Sequence, residues 1–130
     1  MDPDQAAVLW RSSWLSGVSC LYALYNGNFY LAPFPAIVCI TSLNHWKEYR
    51  EGSWEQAIDI FCVNISLVHH LTVAYYTDVY IPYYTLISIA ALCYPVSYYY
   101  YFKNDTWTST YYHCALHVIA TLANLVLYST

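Results

Sequence analysis

Thr110-Tyr111-Tyr112-His113-Cys114-Ala115-Leu116-His117-Val118-Ile119-Ala120-Thr121-Leu122 reads as an apolar helix with two imidazoles on one side. Residues four apart share a helix face, so His113 and His117 point at a single object. No Lys or Arg follows Lys103, and an apolar helix of this length without cations reads as a membrane span. Ionisable groups at membrane depth are costly and turn towards a bundle interior, which makes the pair a functional candidate.

Composition extends that reading to the whole chain. The 130 residues are 59% hydrophobic and only 9% charged, too few charges to cover an ordinary soluble surface. The chain therefore reads as one all-α, polytopic membrane helix bundle. A net charge of −4 with four basic residues argues against a nucleic-acid surface. Cys20, Cys39, Cys62, Cys93 and Cys114 are an odd set spread through apolar stretches, which fits buried thiols rather than a disulfide framework. Met1-Asp2-Pro3-Asp4 lacks the basic start of a cleavable signal.

Breakers and caps divide the chain into about five transmembrane helices, at about 6–25, 30–51, 54–76, 79–102 and 107–128. Asn26-Gly27-Asn28 ends the first. Pro33 and Pro35 lie near the start of the second and Gly52 beyond its end. Ser53 followed by Gln56 is a capping-box signature for the third, and Pro95 predicts a kink in the fourth.

Alternating helices place every odd start and even end on one face. Arg11, Lys47, Arg50 and Lys103 all fall there, so that face is expected to be cytosolic, with the N-terminus on it and the C-terminus opposite. Trp10, Trp14, Trp46, Trp54 and Trp107 land on the same side, as an interfacial belt would place them. The Asn104-Asp105-Thr106 sequon sits on that face, where glycosylation does not occur.

Polar residues converge near the cytosolic side. At about 1.5 Å per residue, His45 lies about 9–10 Å up the second helix from the Gly52-Ser53 junction, Asp59 about 9 Å up the third and His113 about 10 Å up the fifth. Two polar stripes continue inwards: His113, His117, Thr121, Asn124 and Tyr128 on the fifth helix, and Asp59, Cys62, Ser66 and His69 or His70 on the third. The deeper members read as interhelical hydrogen-bond glue, worth about 0.6 kcal/mol each. The shallow cluster reads differently, because no intramembrane Lys or Arg is available to pair Asp59. Imidazoles or a metal are the remaining partners. Three neutral imidazoles with a fourth position open to water match a catalytic zinc site, where His45, His113 and His117 would ligate. Asp59 could then orient the water, act as general base or coordinate, and Ser42 or Thr41 could hydrogen-bond an oxyanion.

This arrangement resembles the CREST superfamily of membrane hydrolases and receptors, which includes alkaline ceramidases, GPI-remodelling proteins and PAQR receptors. That family carries a serine and a histidine near the end of one helix, an aspartate near the start of the next and an H-x-x-x-H pair in its last. Ser42 and His45, Asp59, and His113 with His117 stand in those places and in that order. The resemblance implies a zinc held by the three histidines, with Asp59 and Ser42 serving catalysis on a lipid amide or ester. The family's usual S-x-x-x-H spacing is met here by Thr41 rather than Ser42. Its seven helices against five here imply a second copy or a partner helix completing the bundle.

Two other classes fit parts of the pattern. A non-enzymatic bundle, either a proton or ion carrier or an assembly subunit, would use the same residues as a relay or for packing. A haem electron-transfer protein would use the histidines as axial ligands, although His113 and His117, one turn apart, serve two haems poorly.

Overall fold

The Asp2 side chain caps the first helix by accepting from the Asp4 and Gln5 amides, while the Gln5 side chain accepts from the Asp2 amide. A cap of this kind is worth about 1 kcal/mol, and Pro3 follows at a position where its missing N–H costs nothing. Helix α1 thus runs Pro3–Tyr25, starting earlier than expected, in a computed structural model that describes all of residues 1–130. The chain then forms α2 (Pro33–Lys47), α3 (Trp54–Tyr75), α4 (Tyr80–Phe102) and α5 (Thr106–Tyr128), with no strands. Ser53 caps α3 through the Gln56 amide and Asp105 caps α5 through the Thr108 amide. Gly27 and Gly52 take left-handed conformations (φ +75° and +72°) at the turns after α1 and before α3.

The second helix is shorter than the 30–51 expected. Residues before Pro33 fold as turns, with the Leu31 and Ala32 amides bonding Asn28 O. Prolines at 33 and 35 suit a helix start, where a missing amide hydrogen is not needed. At the other end Glu48 leaves the helix (φ −136°, ψ 85°) and pairs with exposed Arg50 at 3.0 Å. Fifteen residues reach about 22 Å, short of the ~30 Å hydrocarbon core. In α4 the helix continues through Pro95.

Two helices, α3 and α5, are long and apolar enough to cross a membrane. The serines and Arg11 of α1 lower the apolar character of that longer segment. All five cysteines are free.

The helices pack in the order α3–α2–α1–α5–α4, and α3 meets α4 only sparsely. One bond across that seam runs from the Tyr84 hydroxyl to Leu71 O, 2.9 Å. The single consolidated apolar core lies at the end away from the basic residues: Ala23, Leu31, Ala32, Ala74, Tyr83, Ala123, Leu127 and Tyr128 close on one another there. At the basic end Gln5 Nε2 donates to Thr106 Oγ1 at 2.7 Å, fastening the start of α1 to the start of α5. With one end filled and the other held by polar contacts, the bundle forms a half-open chamber of about 400 Å³.

Candidate functional site

The expected site residues line one chamber. Ser42 and His45 come from α2, Asp59 from α3, and His113 and His117 from α5. Three short helix registers produce this meeting: the α2 end, the α3 start and the α5 start lie at one end of the bundle, as equal depth required. Asp59 is buried, and its Oδ1 accepts from Ser42 Oγ at 2.7 Å and from Thr41 Oγ1 at 3.0 Å. No protein group donates to its other oxygen, Oδ2. Both hydroxyls expected as oxyanion donors thus hold the carboxylate instead. Together they fix its orientation and leave one oxygen able to take a proton.

The imidazoles differ in what their nitrogens do. His117 Nδ1 lies 2.6 Å from Ser12 Oγ, and that hydroxyl also reaches Leu9 O at 3.1 Å. A hydroxyl has one hydrogen. Ser12 either accepts from His117 Nδ1–H or donates to Nδ1, and in both arrangements His117 Nε2 has no protein partner. His45 is buried with an unpartnered Nδ1. His113 makes no hydrogen bond; its ring stands perpendicular to that of His117 at 4.9 Å between centroids and edge-on to Trp46 at 5.3 Å.

Each of the three rings therefore keeps a nitrogen that no protein group uses, and this donor chemistry fits a borderline-soft divalent ion such as zinc. In the side-chain positions of the structure, no three His, Cys, Asp or Glu groups close around one point. Holding a metal would require ring rotations about the side-chain bonds.

The polar stripes continue into the chamber in part. Thr121 and Asn124 on α5 and Ser66 and His70 on α3 line it, whereas Cys62 and His69 do not. His69 instead stacks on Phe34 at 4.1 Å, and its buried Nε2 has no hydrogen-bond partner. His70 is saturated: Nδ1–H donates to Ser66 O at 2.7 Å, and Nε2 accepts from the Tyr128 hydroxyl at 2.6 Å. That bond is the interhelical glue expected of the deeper polar residues.

Two contributors were not evident from helical periodicity. Ser12, which hydrogen-bonds His117 Nδ1, reaches α5 from α1, and a lone serine in an apolar helix gives no sign of its partner. Tyr49, Tyr94, Tyr98 and Tyr101 also line the chamber; the tyrosine run was visible, but not which members turn inwards. Compared with protein-family models, curated proteins and solved structures, the chain matches nothing.

Proposed function

We propose that the chain spans a membrane five times, N-terminus cytosolic and C-terminus opposite, and that its chamber is the site of a zinc-dependent hydrolase of a lipid amide or ester. One observation carries the reading: three imidazoles with unused nitrogens share a chamber with a buried carboxylate whose free oxygen has no protein donor. The clustering of Arg11, Lys47, Arg50 and Lys103 at the same end supports the cytosolic placement. The order of Ser42, His45, Asp59 and the His113/His117 pair keeps the CREST resemblance as support for the reaction class.

His45, His113 and His117 would hold the metal. Bound there, zinc would supply Lewis acidity and bring a water towards neutral pKa. Ser12 orients His117 through Nδ1, the outer support that metal-binding imidazoles ordinarily have. Thr41 and Ser42 fix Asp59 through Oδ1, so that Oδ2 accepts the proton of an attacking water and returns it to the departing amine or alkoxide. The apolar lining beside this group, including Ile60, Val63, Leu67 and Ile87, suits the hydrocarbon part of a lipid.

A carrier needs a path through both ends, and the far end is filled by Leu127, Tyr128 and their neighbours; the hydrolase reading needs only one opening. The test is turnover of a panel of lipid amides and esters by zinc-loaded protein in detergent. Wild type should hydrolyse at least one class, and Asp59→Asn should slow it by about 10²–10⁴-fold. Equal rates in the two proteins, or no hydrolysis by zinc-loaded wild type, would defeat the proposal.

A further inference from the structure

The ring of helices closes at one poor joint, where α3 meets α4 only sparsely. That seam is bridged twice: at the far end the Tyr84 hydroxyl donates to Leu71 O at 2.9 Å, and at the basic end the Tyr101 hydroxyl donates to Glu51 Oε2 at 3.3 Å. Tyr84 and Tyr101 lie about 25 Å apart along α4 at the rise of an α-helix. Exposure shows where the seam gapes between them. The exposed residues among those lining the chamber are Ile60, Val63 and Asn64 on α3 and Ala91 and Tyr94 on α4; every other lining residue is buried or half-buried. By helical rise these five stand about 9–17 Å from the basic ends of their helices, so the opening starts at the level of Asp59. At the height of Val63 and Asn64, α4 carries Ala90 and Ala91, whose side chains are too short to fill the gap. The chamber is therefore open sideways, through a window between two helices.

Depth and chemistry decide what such a window admits. Helix α3 has 22 residues and is about 33 Å long, so in the five-span placement the window opens into the hydrocarbon of the leaflet on the basic side. Lipid tails, not water, surround it there. None of the five window residues is charged. The two polar ones donate within the protein, Asn64 Nδ2 to Ile60 O at 2.8 Å and the Tyr94 hydroxyl to the Tyr98 hydroxyl at 3.3 Å. A partner helix is about 10–12 Å across, and one spanning the membrane along this seam would have to cross both bridges. A single hydrocarbon chain, about 4 Å across at van der Waals contact, passes between them.

We propose that the window between α3 and α4 admits one acyl chain of a bilayer lipid, sideways from the leaflet on the basic side, into the chamber. Tyr94 stands at its edge with its ring centroid 6.3 Å from that of His113, so a chain passing Tyr94 arrives beside the histidines. Beyond it the chamber is lined by Leu67, Ile87 and Ala90, which suit hydrocarbon. The inference rests on the five-span placement and gives the lipid of the hydrolase reading a route to the site that avoids the aqueous face.

The test is photolabelling of metal-free protein in phosphatidylcholine liposomes doped with a phosphatidylcholine that carries a diazirine midway along one acyl chain, so that neither zinc nor hydrolysis enters the readout. Adducts are mapped by mass spectrometry. Ala90 and Thr121 are buried and line the chamber, whereas Phe61 and Leu92 are exposed and lie outside it. Wild type should be labelled at both pairs. Val63→Trp and Ala91→Trp each fill the window from an exposed position and should cut labelling of Ala90 and Thr121 on the order of tenfold, with Phe61 and Leu92 labelled as before. Val68→Trp, on the exposed outer face of α3, should leave both pairs as in wild type, and Tyr94→Ala should raise the interior labelling. Wild type labelled only at Phe61 and Leu92, or interior labelling that survives both window tryptophans, would overturn the proposal; the second result would move entry to the basic mouth. Labelling at neither pair would refute the membrane placement and the window with it. Interior labelling of a protein that takes up no zinc would keep the window and refute the hydrolase reading alone.

Discussion

Two histidines that line the chamber, His70 and His45, are treated in opposite ways. At the far end His70 has both nitrogens paired, to Ser66 O and the Tyr128 hydroxyl, against an apolar cluster that includes Tyr83 and Leu127. At the basic end the buried His45 has an unpaired Nδ1, His113 has no hydrogen bond, and His117 keeps one nitrogen free. A buried polar group without a partner costs about 1–3 kcal/mol. Two buried nitrogens carry it, His45 Nδ1 in the chamber and His69 Nε2 outside it, where the ring stacks on Phe34. Within the chamber the contrast separates His70, which ties α3 to α5, from His45, His113 and His117, each of which has a nitrogen that no protein group uses.

That contrast can be tested through stability. Tyr128→Phe strips the acceptor His70 Nε2 of its donor inside a filled core and should destabilise by about 1–3 kcal/mol, read as a lower thermal midpoint of the purified protein. His45→Leu removes an orphaned polar atom and should be neutral or stabilising by about 1 kcal/mol in metal-free protein. Opposite signs sharpen the distinction between the two histidines; a large loss in both variants would erase it. The smallest effect belongs to the chamber wall between them. Asn124 lines the chamber without a side-chain hydrogen bond to another helix, so Asn124→Leu should change stability by less than the worth of one such bond, about 0.6 kcal/mol, and should leave metal uptake as it is.

Much of the architecture was legible because helix signals are local. Ser53 with Gln56, the Asn26-Gly27-Asn28 turn and Pro33 each act within a few residues, so they marked real helix boundaries. The Asp2–Gln5 capping box was overlooked because it precedes the first apolar residues, although D-x-x-Q carries the same signal as S-x-x-Q. The α2 end was misjudged because Glu48 to Glu51 look helical by composition, while the backbone turns away at Glu48. Equal depth along three helices brought Ser42, His45, Asp59, His113 and His117 together on paper. Depth alone says nothing about rotation, and so it missed the turn of Ser42 and Thr41 towards Asp59, the Ser12 contact from α1 and the inward face of Tyr49, Tyr94 and Tyr98. Those depend on how helices distant in sequence are rotated against one another.

Zinc titration of detergent-purified protein, read by elemental analysis after gel filtration, is the most direct test of the central claim. Wild type should retain about one zinc per chain, and His45→Ala, His113→Ala and His117→Ala should each lose it, because two remaining ligands hold the metal poorly. His70→Ala, if it remains monodisperse, should retain it. Wild type that takes up no zinc at saturation, or a His70→Ala variant that folds yet loses zinc as completely as His113→Ala, would contradict the division among the chamber histidines and leave His45, His113 and His117 without the role assigned to them.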